Sequence, residues 1–136
     1  MSKAGPSSDV PPPGSLTFSF RYLDASTAKF RIDHCDGHYF RTVLDKLKAL
    51  SEKNRNDFLS LPATGGKVWR VHRINWTDNR VTESSFGLPV QLTSDENAWQ
   101  FNVSLNRGRV HGFLIGSTFF VRWMDPQHNL YGGRQD

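Results

Sequence analysis

The sequence predicts an α+β protein in which an antiparallel sheet carries two helices packed on one face. Two observations lead to this prediction. Apolar residues recur every three or four positions in the first half of the chain, and aromatic residues alternate with polar ones in several short segments of the second half. Helical patterns followed by a run of strands are typical of α+β folds, and a chain of 136 residues favours one domain.

The N-terminal half begins with a segment unsuited to a folded core. Residues 1–15 are rich in proline and small polar side chains, which predicts a flexible tail, and the single domain is expected over residues 16–136. The alternation in LTFSFRYL, residues 16–23, predicts a half-buried strand. Phe30 and Ile32 are interpreted as a second short strand.

Two helices are expected next. The stretch DGHYFRTVLDKLKALS has apolar residues at helical spacing and an aspartate where a helix N-cap would lie, namely Asp36. Its predicted core positions are Phe40, Val43, Leu44, Leu47 and either Leu50 or Ala49. A shorter helix is expected around residues 54–60, ended by Pro62 and the pair Gly65-Gly66.

The C-terminal half is predicted to be mostly strands. KVWRVHRINW, residues 67–76, is interpreted as a strand, and residues 77–94 as a long loop. WQFNVSLN, RVHGFLI and TFFVRWMD then predict a three-stranded antiparallel meander over residues 99–125. Tight turns are expected at Arg107-Gly108 and at Gly116-Ser117, and Pro126 is expected to end the last strand.

Composition excludes several classes of function. A single cysteine, Cys35, excludes an internal disulfide and a multi-cysteine zinc site, and the five histidines match no metal-binding pattern, so neither a metal nor another cofactor is expected. Serine-hydrolase and phosphate-loop motifs are missing too. No apolar run reaches the roughly 18 residues of a membrane helix, and no signal peptide is recognisable. A cytoplasmic protein without a membrane partner is therefore expected.

Basic and imidazole side chains concentrate in the predicted sheet. The net charge of +4 is modest, but no lysine follows Lys67, so every later cation is an arginine, which forks onto phosphates. Strand alternation places Arg70 with His72, and Arg109 with His111, on shared faces. The candidate set also includes stacking aromatics at positions 76, 123 and 131, and its basic and histidine members are Arg70, His72, Arg73, Arg107, Arg109, His111, Arg122 and His128.

These residue types have two interpretations. Arginines for phosphates, aromatics for bases and His or Tyr for proton transfer are the groups that an RNA-binding or RNA-cleaving surface uses. The other interpretation is that each arginine is a solvated residue on the outer face of a half-buried sheet. His128 and Tyr131 follow a strand and a proline, where functional side chains are often presented, and both interpretations stay open for them.

The C-terminal part of the sequence also carries a family resemblance. The segment WQFNVSLNRGRVHGFLIGSTFFVRWMDPQHNLY, residues 99–131, resembles the bacterial RelE/ParE-type toxin superfamily in its Trp-led strand, its Arg-containing strand and hairpin, and its His-containing tail. The resemblance implies a metal-independent endoribonuclease that cuts messenger RNA, often on the ribosome, by attack of a ribose 2′-OH. It implies His128 as general acid or base, Tyr131 as a stacking or proton-handling aromatic, and Arg109 as a phosphate clamp beside His111.

The resemblance also implies partners and a second rank of site residues. RNA would be the substrate, and a cognate antitoxin protein would cover the basic surface. Arg70 and His72 are second-rank candidates for the site, and the expected RNA-binding residues are Arg70, His72, Arg73, Arg107 and Arg122. Two alternatives remain: a non-catalytic module that binds nucleic acid or protein, and an accessory protein of a mobile element or phage whose aromatics mediate assembly.

Overall fold

A computed structural model describes residues 10–93, 97–103 and 108–132. Its helices are α1 (Gly37–Ser51), α2 (Arg55–Thr64) and the single turn α3 (Gly66–Trp69). The strands are β1 (Thr17–Ser19), β2 (His72–Arg73), β3 (Ala98–Asn102), β4 (Arg109–Ile115) and β5 (Thr118–Asp125). Turns of 3₁₀ helix lie at Ala28–Phe30, Ile32–His34 and Asn129–Tyr131. No helix in these ranges is long and apolar enough to cross a membrane.

The strands form one sheet in the order β1-β5-β4-β3-β2. The strands β2 to β5 pair antiparallel with their neighbours, whereas β1 pairs parallel with β5, with Thr17 opposite Thr118. The α+β class is therefore confirmed, but the expectation of a purely antiparallel sheet is wrong. The direction of β1 depends on a partner about a hundred residues away along the chain, and no local pattern in the sequence records it.

Side-chain caps start both longer helices. The carboxylate of Asp36 accepts a hydrogen bond from the Tyr39 N–H at 2.8 Å, which confirms the predicted N-cap of α1. At α2, Asn54 and Asp57 form a reciprocal capping box, with each side chain accepting from the other residue's N–H. Of the two stop signals that the sequence offers, Pro62 lies inside the helix, and the helix ends before the pair Gly65-Gly66.

Three of the predicted strands are shorter than expected or absent. The first strand is limited to Thr17–Ser19, and 3₁₀ turns replace the strand expected at Phe30 and Ile32. The segment 67–76 is mostly not a strand either, because α3 ends at Arg70 in a left-handed conformation (φ 40°) and leaves only His72–Arg73 to pair with β3. Residues 77–93 hold no helix or strand, as the loop prediction requires. Residues 1–9 of the predicted tail, Ser94 of the loop and Arg107 of the predicted turn lie outside the described ranges.

Buried apolar residues form two clusters, one on each face of the sheet. The helix face carries the cluster to which α1 and α2 contribute, including Val43, Leu50 and Phe58, packed with Phe101 and Phe119 of the strands. Of the predicted core positions of α1, Leu44 is 65% exposed, so the apolar stripe is narrower than its sequence suggests.

The second face, here called the loop face, is largely covered as well. Its cluster combines strand residues with others from the long loop and the N-terminal turn, and its buried members are Phe30, Ile74, Phe86, Ala98, Phe113, Trp123 and Leu130. One end of this face carries polar side chains and an open pocket.

Candidate functional site

Polar side chains form two rows across the loop face. Residues that pair across strands point to the same face of a sheet. One row joins His72, Gln100 and His111, and the next joins Asn102, Arg109 and Asp125, at the end of the sheet where β4 begins and β5 ends.

A β-bulge in β5 brings Asp125 into these rows. His111 pairs with Trp123 while Gly112 pairs with Val121, so Arg122 is the extra residue between them. Simple alternation along the sequence would place residues 120 and 123 on opposite faces, but the bulge puts Phe120 and Trp123 on the same one. The bulge is therefore what aligns the end of β5 with the polar rows.

An open pocket lies over this end of the sheet. It has a volume of about 320 Å³, within the usual range of ligand sites, and its lining is mostly polar. The lining side chains, which define the pocket below, are His72, Asn75, Asp78, Arg80, Gln100, Arg109, His128 and Tyr131. Four of the candidate residues from the sequence, His72, Arg109, His128 and Tyr131, are thus brought together.

The segment after β5 presents two of these side chains. His128 has a left-handed backbone (φ 61°, ψ 33°), which is uncommon for a residue other than glycine and often marks a functional site. The 3₁₀ turn Asn129–Tyr131 follows, with Leu130 wholly buried beneath it. The Tyr131 hydroxyl accepts a hydrogen bond from the Asn75 N–H at 3.0 Å. Burial raises the pKa of Tyr131, so its hydroxyl is protonated at neutral pH.

Two arginines bring positive charge to the pocket. Arg109 is 6% exposed and donates to the Gly108 carbonyl at 2.8 Å. Arg80 lies at the rim, 5.2 Å from the centre of the Tyr131 ring, and pairs with Asp78 at 2.8 Å. Hydrogen bonds from the side chain and backbone of Arg80 lower the pKa of Asp78 to about 2, so this carboxylate is charged at neutral pH.

His72 is hydrogen-bonded through both ring nitrogens. Its Nδ1 lies 2.8 Å from the Arg73 carbonyl and its Nε2 lies 3.0 Å from Nε2 of Gln100. Because a carbonyl can only accept, Nδ1–H donates to it, and the Gln100 amide donates to the other nitrogen. Partial burial lowers the pKa of His72 and the nearby charges of Arg109 and Arg70 lower it further, while the hydrogen bond to the Arg73 carbonyl acts in the opposite direction.

His111 lies beneath the pocket and does not line it. Its ring is fully buried beside the stacked pair of Phe30 and Trp123, and Nε2 lies 2.9 Å from Oδ2 of Asp125. The structure therefore does not place His111 among the side chains that line the pocket, whereas the sequence groups it with Arg109. Asp125, 1% exposed, is a partner that the sequence pattern does not reveal.

Three other predicted RNA-binding arginines lie among the described residues and do not line the pocket. Arg122, the bulge residue, donates to the carbonyls of Phe86 and Tyr22 and so ties the long loop and the N-terminal segment to the sheet. Arg73 stacks over Trp99 on the helix face, at 5.5 Å from the ring centre. Arg70 is exposed at the end of α3, and Arg107 is outside the described residues.

The predicted stacking tryptophans are used in packing. Trp123 is 3% exposed and stacks on Phe30 at 4.3 Å between ring centres, and Trp76 packs edge-on against Phe86. Of the aromatics expected as stacking platforms, Tyr131 is the one that lines the pocket.

Half of the pocket lining is absent from the candidate residues of the sequence. From the sequence, Asn75 is predicted only as a strand-end residue, and Asp78 and Arg80 only as loop residues. Gln100 is predicted only as part of a strand, although all four line the pocket. The polar cluster NWTDNR between Ile74 and Val81 is a usable signal, because it interrupts a strand with hydrogen-bonding side chains.

Neither metal geometry nor similarity to known proteins assigns a function. Among the residues in the described ranges, no group of three or more His, Cys, Asp or Glu side chains is placed to hold a metal ion. Comparison with protein-family models, with curated proteins and with solved structures finds no match. The resemblance to RelE/ParE-type toxins stays a prediction from the sequence.

Proposed function

We propose that the pocket binds the backbone of single-stranded RNA and cleaves it without a metal ion. The observation that carries the proposal is that Arg80, Arg109, His128 and Tyr131 line one cavity. Guanidinium groups suit a phosphodiester, because they are permanently charged and donate in a fork. A histidine and a phenol beside them supply groups for proton transfer.

The reaction would follow from these groups. His128 takes the proton of the ribose 2′-OH, and the 2′-oxygen forms a bond to the adjacent phosphorus. The bond from phosphorus to the 5′-oxygen breaks, and that oxygen takes a proton from the Tyr131 hydroxyl. Solvent then moves a proton from His128 back to Tyr131. The products are a 2′,3′-cyclic phosphate and a 5′-hydroxyl, and Arg109 stabilises the phosphate charge in the transition state.

The biological setting is part of the same proposal. The resemblance to RelE/ParE-type toxins favours messenger RNA, including messenger RNA bound to the ribosome, as the substrate. It also favours an antitoxin protein that would cover the pocket and block access.

A second candidate function is nucleic-acid binding without cleavage. It is favoured by the state of the pocket side chains: His72 is hydrogen-bonded on both ring nitrogens, and the Tyr131 oxygen already accepts from Asn75. The Asp78 carboxylate further reduces the positive charge near the rim. Such a site would hold a strand by its phosphates and by stacking on Tyr131.

The test is an RNA cleavage assay in excess chelator with an end-labelled single-stranded RNA and a DNA of the same sequence. Tyr131→Phe removes only the hydroxyl, and His128→Ala removes the imidazole. The controls are His38→Ala, an exposed histidine on α1, and Arg73→Ala on the helix face. Wild type and controls should cut the RNA to 2′,3′-cyclic phosphate ends and leave the DNA intact. Each pocket variant should be slower by about 10²- to 10⁴-fold.

The possible results separate the two candidate functions. Cleavage that needs added metal, or pocket variants as fast as wild type, would overturn the ribonuclease. Binding with a steep salt dependence and no cleavage would support the second candidate. No binding of RNA or DNA would exclude both.

A further inference from the structure

A buried carboxylate lies directly under the pocket. Asp125, at the last position of β5, is 1% exposed, and burying a carboxylate is unfavourable unless hydrogen bonds replace its water. Three donors do so. Oδ1 accepts from the Asn129 N–H at 2.7 Å, and Oδ2 accepts from the Leu130 N–H at 3.0 Å and from the His111 ring at 2.9 Å. Burial tends to raise the pKa of Asp125, but these bonds outweigh it and lower the pKa.

Two of the donors belong to the segment that carries His128 and Tyr131. His128 immediately precedes the bonded pair Asn129 and Leu130, and Tyr131 immediately follows it. The left-handed backbone of His128 persists only where its surroundings enforce it. The carboxylate supplies that constraint, because it fixes the peptide groups on the C-terminal side of His128 while the Asp125 carbonyl accepts from the His128 N–H at 3.5 Å.

His111 fixes the carboxylate from the sheet side. It lies on the strand between β3 and β5, with its ring fully buried beside the stacked rings of Phe30 and Trp123. The hydrogen bond therefore ties the loop after β5 to an interior strand of the sheet. An amide in place of the carboxylate would turn an N–H toward at least one of the three donors, so the arrangement specifically requires a carboxylate.

We propose that Asp125, held by His111, is the positioning residue of the pocket and sets the placement of His128 and Tyr131 without touching the ligand. The proposal rests on the proposed function for its effect on catalysis. Its structural part, the control of the loop 126–131, stands independently.

The chain offers a control for Asp125→Asn. Asp24, which is partly exposed, also accepts from the backbone N–H groups of Ser26 and Thr27, from the Thr27 hydroxyl and from the ring N–H of Trp123. It anchors a segment that contributes no side chain to the pocket. Both variants lose a hydrogen-bonded carboxylate, but only Asp125→Asn should affect the pocket.

The first readout is catalysis on the labelled single-stranded RNA, at a temperature where tryptophan fluorescence shows each variant folded. Asp125→Asn should lower kcat by about 10²-fold, the cost of a small misplacement of catalytic groups, with a smaller change in KM. Asp24→Asn should keep the wild-type kcat. His111→Gln retains a donor near the position of Nε2 and should keep most of the activity, whereas His111→Phe should resemble Asp125→Asn. Equal kcat values for His111→Gln and His111→Phe, or for the two aspartate variants, would overturn the proposal.

The second readout does not depend on catalysis. Amide hydrogen exchange measured by NMR should show that residues 129–131, and Asn75 which bonds Tyr131, lose protection in Asp125→Asn or His111→Phe but not in Asp24→Asn. If wild type does not cut RNA while this loss is seen, the proposed function fails and the positioning role stands. If protection at these amides is unchanged, the positioning role fails, whatever the RNA assay shows. Should Asp125→Asn not fold, the two His111 variants give the same decision.

Discussion

Removing the hydroxyl oxygen of Tyr39 should destabilise the protein more than the loss of one atom suggests. The Tyr39 hydroxyl reaches from α1 into the end of the sheet, donates to the Arg109 carbonyl at 2.7 Å and accepts from the Asp125 N–H at 3.1 Å. The side chain is 3% exposed, so Tyr39→Phe leaves both backbone groups buried without this partner. Leaving two such groups unpaired costs about 2–4 kcal/mol of unfolding free energy.

Urea denaturation followed by tryptophan fluorescence measures this cost. With an m-value of about 2 kcal/mol/M, the midpoint should fall by about 1–2 M while the slope stays unchanged. Tyr22→Phe is the matched control, because the Tyr22 ring packs against Phe113 and Phe120 while its hydroxyl has no hydrogen-bond partner among the described residues. A loss below about 1 kcal/mol for Tyr39→Phe, or an equal loss for the control, would refute the reasoning.

Three further predictions concern packing, pH and reactivity. Gly112→Ala should lower the unfolding free energy by about 1–3 kcal/mol or more, because a Cβ there would lie 2.2 Å from the Phe120 carbonyl oxygen. Gly37→Ala, where an added Cβ meets open space, should not lower it, and thermal melts compare the two variants. Folding lowers the pKa of Asp125, so its charged carboxylate stabilises the fold above about pH 4. This stability is lost as the pH falls through the folded-state pKa. The difference in unfolding free energy between wild type and Asp125→Asn, measured in urea, should therefore shrink from pH 7 to pH 3. Burial first, and then two nearby carboxylates, raise the pKa of Cys35 to about 11, so iodoacetamide at pH 8 should alkylate it about a hundredfold more slowly than an ordinary exposed thiol; an equal rate would contradict this.

Features set by neighbours along the chain could be predicted from the sequence. The helix α1, its cap at Asp36 and the strands β4 and β5 depend on local spacing, on a capping side chain and on the turn at Gly116, whose φ of 60° suits glycine. The direction of β1 and the length of β2 could not be predicted. The first depends on a distant partner, and the second on a left-handed Arg70 where the segment's alternation indicates a strand.

The candidate site also contains some features that the sequence predicts and others that it does not. Strand alternation and a proline place Arg109, His128 and Tyr131 near one end of the meander, and these residues do line one pocket. The same alternation selects His111, but alternation gives the face and not the depth, and the cover from Phe30 and Trp123 buries it. The role of Arg122 is obscured by the bulge, which a period of two residues does not reveal.

The central claim is that RNA binds in the pocket at the polar end of the loop face. An NMR titration of the labelled protein with a single-stranded RNA oligonucleotide, in chelator and at low salt, tests it most directly. We expect the largest shifts on Asn75, Arg80, Arg109, His128 and Tyr131, with Arg73 and Trp99 on the helix face unchanged. Shifts concentrated on the helix face, or no shifts at saturating RNA, would contradict it.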